Sequence, residues 1–273
     1  MQPTTRRAAY LVIGVAAGLS ATFLYRYWTT IPVANIDVYD GFEGSGLSRI
    51  WSTDRFEAGA VSMQSEIVHA GHGAVKIVVH SRDKFEAGVN GNKDTERAEL
   101  KETDKLMSLE GRAYEYSFSM FLPADFPIVP TRLVIAQWKQ DCQGHGPCSD
   151  DSPVVALRYV AGEFQITQQT SRYRMVPFET NEELRGHWND FRLQIRFSPY
   201  ANGLLRAWMN GVMVVDTRGA TAYPENPTTG YDSPGRFYFK MGLYRDVMEQ
   251  PMTIYIDEYR KRELATSSAG NLP

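Results

Sequence analysis

Cysteine is nearly missing: Cys142 and Cys148 are the only two in 273 residues. One such pair with a single nearby histidine, His145, supplies too few ligands for a structural zinc site. In an oxidising compartment the pair can close a small disulfide loop around residues 143–147; otherwise the two stand as free thiols. A basic excess is missing as well, since the formal net charge is −3. Arg6, Arg7 and Arg26 lie in or beside an N-terminal segment without acidic residues, so the remainder is more acidic still. A nucleic-acid binder normally shows a basic stripe, and this chain shows none. An anionic sugar is not excluded, because a site needs only local positive charge. Long helical periodicity is also lacking; residues 179–184 allow a turn or two of helix at best. There is no internal repeat and no low-complexity run. With 43% apolar and 22% charged residues the composition is that of a globular protein.

The one long apolar run is N-terminal. Residues 8–25 carry no charge, Arg6 and Arg7 precede them, and Arg26, Tyr27 and Trp28 follow. Such a run nearly crosses a bilayer, with basic and aromatic ends suited to the two interfaces. The expectation is a cytoplasmic stub at 1–7, an uncleaved transmembrane signal-anchor at 8–28 and a linker at 29–36. A β-domain at 37–262 and a flexible tail at 263–273 follow. This places an inner-membrane-anchored domain facing the periplasm or cell exterior. A cleaved signal peptide is the rival, but no convincing small-x-small cleavage site precedes Trp28.

What fills the rest is strand patterning. Tyr114, Tyr116, Phe118, Met120 and Leu122 alternate with Glu115, Ser117 and Ser119, a period of two. Trp188, Phe191, Leu193, Ile195 and Phe197 form a similar set around Arg192, Gln194 and Arg196. Segments 204–208 and 212–215 flank Asn210-Gly211, a type I′ hairpin signal. Further strands are expected at 74–80, 133–138, 154–160, 164–168, 237–244 and 253–259, with turn residues between them. So many strands in one domain imply an all-β, two-sheet jelly-roll sandwich.

Alternation also assigns faces. In 97–101, Ala98 and Leu100 share one face, and Arg97, Glu99 and Lys101 the other. Gln137 and Lys139 point together. Phe239, Met241 and Leu243 form a core side, which leaves Tyr238, Lys240 and Tyr244 opposite, with a gap at Gly242. Arg, Gln, Lys and Tyr on one face describe either a saccharide groove or a solvated outer face with routine cross-strand charge pairs. Trp51, Trp138 and Trp208 suit sugar stacking or burial, the latter being the commoner fate of tryptophan.

Arg-Ala-Glu-Leu at 97–100, Gln-Trp at 137–138, Trp188, Trp208 with Asn210-Gly211, and Lys-Met-Gly-Leu-Tyr at 240–244 occur in one order. That order resembles the heparin lyase I-like and glucuronan lyase group of polysaccharide lyases, over roughly 42–259. The resemblance implies a β-jelly roll and endolytic β-elimination on an anionic, uronic-acid-containing polysaccharide, often with bound calcium. It implies Tyr244 as the catalytic tyrosine. β-Elimination needs the uronate carboxylate neutralised, a base for the C5 proton and an acid for the leaving O4. Arg97 and Gln137 suit the carboxylate, and Lys240 adds charge. Glu99, Lys101 and Tyr238 complete the expected substrate-binding set. Many relatives carry histidine directly after Gln-Trp as the base; here the residue is Lys139, so Lys139 and His145 are the candidates. Glu43 and Asp257, near the first and last strands, are the candidate calcium ligands. No protein partner is indicated.

Three other functions compete. A carbohydrate-binding module on the same fold would bind sugar without cleaving it, and Lys139 in place of histidine favours that reading. A sandwich-type glycoside hydrolase needs two carboxylates across a groove, yet Glu99 and Glu102 fall on opposite strand faces. A structural envelope protein would need no Arg/Lys/Tyr groove.

Overall fold

The computed structural model describes residues 34–52, 56–83, 95–141, 152–225, 231 and 234–265. The expected anchor at 8–28, Cys142, His145 and Cys148 lie outside these residues. Among the described residues no helix is long and apolar enough to cross a membrane.

Period-two patterning becomes sixteen strands. They are β1 (Asp37–Asp40), β2 (Trp51–Ser52), β3 (Val61–Gln64), β4 (Ala74–Val79), β5 (Thr95–Glu102), β6 (Ser108–Leu109), β7 (Ala113–Phe121) and β8 (Leu133–Gln140), then β9 (Val155–Val160), β10 (Glu163–Gln169), β11 (Arg174–Thr180), β12 (Trp188–Arg196), β13 (Leu204–Met209), β14 (Val212–Arg218), β15 (Arg236–Asp246) and β16 (Met252–Leu264). The only helical element among the described residues is a single 3-10 turn at Asp104–Leu106. The turn or two of helix that 179–184 could at best allow does not form. Glu179 and Thr180 instead pair with Gln165 and Phe164 as the end of β11.

Two antiparallel sheets result. The first runs β14-β13-β12-β7-β16-β4-β3, with β1 on β16; the second runs β11-β10-β9-β8-β15-β5-β2, with β6 on β15. The Asn210-Gly211 reading holds: both residues have positive φ, 50° and 81°, as a type I′ turn requires. Their inner faces pack aromatic against aromatic. Tyr116 and Phe118 of the first sheet meet Trp138 and Phe239 of the second at centroid distances of 5.3 Å (Tyr116–Trp138) and 5.8 Å (Phe118–Phe239). Full burial of each such side chain stabilises by about 1.5–3 kcal/mol. Trp51 and Trp138 are buried in this core, so sugar stacking falls to neither.

Charges also lie between the sheets, which alternation alone did not reveal. In β16 the register shifts between Asp257 and Arg260, and Glu258 has φ +56°. This bulge turns Tyr259 and Lys261 inward. Lys261 Nζ meets Glu102 Oε2 of β5 at 2.9 Å and also donates to the Leu106 carbonyl. Tyr259 donates its hydroxyl to the other Glu102 oxygen. Burial pushes the Glu102 carboxyl up and the Lys261 ammonium down, and each is opposed by the other's charge. At the far end of the same face of β5, Glu96 holds Arg245 at 2.8 Å, both fully buried.

The Glu102–Lys261 pair yields a stability test. Removing one member leaves an uncompensated buried charge, so Lys261→Met should lower unfolding stability by about 3–5 kcal/mol. Combining it with Glu102→Leu should recover most of that loss in urea denaturation. A single-variant loss below about 1 kcal/mol would show that the pair does not clamp the sheets.

Candidate active site

The outer face of the second sheet is fixed by what its strands give to the core. On β15, Phe237, Phe239, Met241 and Leu243 are fully buried, so Tyr238, Lys240 and Tyr244 stand opposite. On β5, Ala98 and Leu100 are buried, so Arg97, Glu99 and Lys101 share that outer side. Registers then line residues up across strands. One row reads Arg97–Tyr244–Val134–Arg158–Gln165, and another reads Lys101–Lys240–Gln137–Ala156–Thr167. Tyr238 pairs with Lys139 beside the second row.

Two clusters follow. Around Tyr244, the Arg97 guanidinium lies 4.2 Å and the Arg132 guanidinium 5.4 Å from the ring centroid. Guanidiniums stack on aromatic faces, which holds the phenol in place. The second cluster is built of lysines. Lys101 and Lys240 lie 4.9 and 5.5 Å from the Tyr238 ring centroid. Glu99 is buried beneath them; it accepts a hydrogen bond from Gln137 Nε2, and its Oε2 lies 3.8 Å from Lys240 Nζ. Glu99, expected to bind substrate, therefore positions Gln137 and Lys240 from below.

The electrostatics are those of a cation-rich, partly dry surface. Burial pulls the Lys240 ammonium down to about 8, with Arg97, Lys139 and Lys101 repelling it and Glu99 opposing the fall. Burial likewise raises the Tyr238 phenol, and Asp141 and Glu99 push the same way. Such a surface favours an anion, and it offers a phenol and an amine for proton transfer.

The expected site thus divides. Arg97 and Tyr244 are brought into contact, as are Glu99, Gln137, Lys240, Lys101 and Tyr238, and Lys139 lies beside Lys240. Sequence reasoning missed Arg132 and Arg158. Arg158 sits at the centre of the expected 154–160 strand, and an arginine between Leu157 and Tyr159 was the available signal. Trp208 belongs to the other sheet, half-buried with the Arg192 guanidinium 3.9 Å from its ring centroid.

Glu43 and Asp257 flank one loop without forming a metal cage. Both Glu43 oxygens accept from the His72 amide, at 3.0 and 2.9 Å. Asp257 accepts from the amides of His69 and Ala70, at 3.0 and 3.1 Å, and of Glu258, at 2.8 Å. Among the described residues, no three His, Cys, Asp or Glu side chains are grouped to hold a metal ion. In this structure the two carboxylates clip the loop at residues 69–72, and no chemical step is routed through a metal.

Comparison with known proteins agrees with this architecture. The polysaccharide lyase family model matches residues 32–260, and the chain belongs to that family. It is therefore a polysaccharide lyase, and the binding-module, hydrolase and structural readings fall away. A search of curated protein sequences finds no match. Among solved structures, an endo-β-1,4-glucuronan lyase from the fungus Trichoderma reesei superposes with TM-score 0.61 at 18% identity, covering 83% of this chain and 95% of that one. An alginate lyase of polysaccharide lyase family 7 gives 0.51 at 12%, covering 77% and 84%. The alginate lyase Aly36B gives 0.52 at 13%, covering 86% and 98%. At these identities the likeness establishes the jelly-roll fold.

Gly242 makes the site testable. Its φ is +142°, and an added Cβ would lie 2.3 Å from the Ala98 carbonyl oxygen and 2.8 Å from the Glu99 Cα. The register of β15 against β8 also shifts between Met241 and Tyr244. Gly242→Ala must separate β15 from β5 at the Gly242–Glu99 pair, two residues from where Tyr244 meets Arg97. The expected cost is about 1–3 kcal/mol in urea denaturation, with loss of cleavage. An unchanged midpoint and rate would show that this close approach is dispensable.

Proposed function

We propose that this lyase cleaves a uronic-acid-containing anionic polysaccharide by β-elimination, with Tyr244 protonating the leaving oxygen. The observation that carries the reading is a phenol set among guanidiniums on the outer face of the sheet, at 4.2 Å from Arg97 and 5.4 Å from Arg132. Arg97, assisted by Gln137, neutralises the uronate carboxylate and so acidifies the C5 proton. The base takes that proton, and the C5–H electron pair becomes the C4–C5 double bond. The C4–O4 bond breaks, and O4 receives the Tyr244 proton.

The base is assigned to the Lys139–Lys240 pair. Burial frees the Lys240 amine below the ordinary lysine range, and the charges of Arg97, Lys139 and Lys101 act in the same direction. Lys240, pulled to about 8, supports this. Because the free amine is the active form, cleavage should rise with pH through about 8. The uncharged apolar run at 8–25, flanked by Arg6, Arg7 and Arg26, supports an enzyme anchored in the inner membrane and working outside it on envelope polymer; retention of the full chain in washed membranes would check this.

The deciding assay incubates the protein with a panel of uronic-acid polymers and follows ultraviolet absorbance of the unsaturated product. Wild type should produce it from at least one polymer, and Tyr244→Phe should lower the rate by at least about 100-fold. Absence of product from every polymer, or full activity in Tyr244→Phe, would overturn the assignment. In the same assay the rising limb near pH 8 should disappear in Lys139→Met or Lys240→Met. A limb that persists unchanged in both would remove the lysine pair from the mechanism.

A further inference from the structure

The other buried cations among the described residues have carboxylate partners. Lys261 has Glu102, Arg245 has Glu96, and Arg206 has Asp216 at 2.9 Å. This is the usual rule, because an unpaired charge taken out of water is costly. Arg158 breaks it. It lies at the middle of β9, only 6% exposed, yet among the described residues no carboxylate pairs with it. Its side-chain hydrogen bond runs from Nε to the Thr167 hydroxyl, at 3.1 Å, and that hydroxyl donates onward to the Ala156 carbonyl. The partner is thus neutral. Burial first, then the neighbouring cations Arg174 and Arg132, pull it down to about 10, with the Tyr244 phenol opposing the fall. A guanidinium with a neutral anchor at one edge keeps its other nitrogens for an oxyanion.

Its place indicates which oxyanion. Arg158 stands in the same cross-strand row as Arg97 and Tyr244, with Val134 between. Three interstrand steps separate β5 from β9, about 14 Å at the backbone, which leaves room for two separate acidic groups. We propose that Arg158 is a second anion anchor, binding the acidic substituent of the sugar adjacent to the one that loses its proton. This rests on the β-elimination reading above. The shared chemistry is a carboxylate or a sulfate ester, and both fit a planar fork. The cleft then reads two neighbouring acidic units and favours polymers in which every unit is charged.

The test uses the full chain with Arg158→Met and Arg158→Lys. Three substrates are compared: a polyuronate, an alternating polymer whose uronates are flanked by neutral sugars, and one whose flanking sugars are sulfated. On the polyuronate, Arg158→Met should raise KM about 10–100-fold, as loss of a charged hydrogen-bond pair does, with kcat within about twofold. Arg158→Lys should recover part of the loss, and the neutral-flanked polymer should show none. An equal penalty on the sulfated polymer assigns a general oxyanion site; a penalty on the polyuronate alone assigns carboxylate. Without ligand, Arg158→Met should melt no lower than wild type, because it removes an uncompensated buried charge. An unchanged KM on the polyuronate, or a lower melting temperature with kcat and KM worsening alike on all polymers, would overturn the proposal. If wild type cuts no polymer, the elimination reading fails by itself. Arg158 is then judged by the thermal shift that polyuronate induces: a shift lost in Arg158→Met sustains the anchor, and an equal shift in both removes it.

Discussion

A β-strand has only two faces, and in a sandwich one of them belongs to the core. That constraint builds the site. Committing Phe239, Met241 and Leu243 to the interior leaves Tyr238, Lys240 and Tyr244 no other place than the outer side of β15. The same accounting on β5 exposes Arg97, Glu99 and Lys101, and antiparallel pairing sets Tyr244 opposite Arg97 and Lys240 opposite Lys101. Slipping β15 by one residue would exchange core for site along its whole length, so core packing and site geometry are one specification. The aromatic contacts of Trp138 and Phe239, at 4.8 Å, therefore support the chemistry from the far side of the sheet.

Charge is handled differently on the two faces. Between the sheets, Glu102 with Lys261 and Glu96 with Arg245 are matched, and additional backbone or phenol contacts fill their remaining positions. On the outer face Glu99 stands among Arg97, Lys101, Lys139 and Lys240, while Arg132, which does have Asp246 at 2.5 Å, approaches Tyr244 with Arg158. Matched charge inside serves the fold. On the outer face cations outnumber the carboxylates set among them, and the proposed acidic polymer would complement that excess. The family to which the chain belongs acts on polysaccharides, and the proposal that its substrate is acidic draws on this excess of cations.

Much of this was legible because it depends on period two. Strands with clean alternation, such as β7 and β12, and the Asn210-Gly211 turn needed only local pattern. The outer set on β5 and β15 followed from which neighbours were apolar. Three things were hidden for physical reasons. The inward turn of Lys261 depends on the bulge at Glu258, which shifts the face of every later residue in β16. Sequence marks that position with an ordinary glutamate. β11 is an edge strand with a mostly exposed face, so it lacks apolar alternation, and 179–184 suggested helix instead. Arg158 escaped because its importance lies in a missing partner, which only tertiary placement exposes.

The replacement of histidine by Lys139 after Gln-Trp then has a physical rationale. Burial and neighbouring ammoniums bring Lys240 from 10.5 to about 8. An imidazole begins near 6.5, and dry, cationic surroundings lower it further, which weakens it as a proton acceptor. A lysine begins near 10.4, too high to be free in water at neutral pH, and these surroundings bring it into the range where a general base is both unprotonated and strong. Lysine and histidine are therefore alternative solutions to one requirement, selected by how cationic the rest of the cleft is. On the proposed mechanism, a cleft lined by Arg97, Arg132, Arg158, Lys101 and Lys240 is the kind in which lysine is the better base.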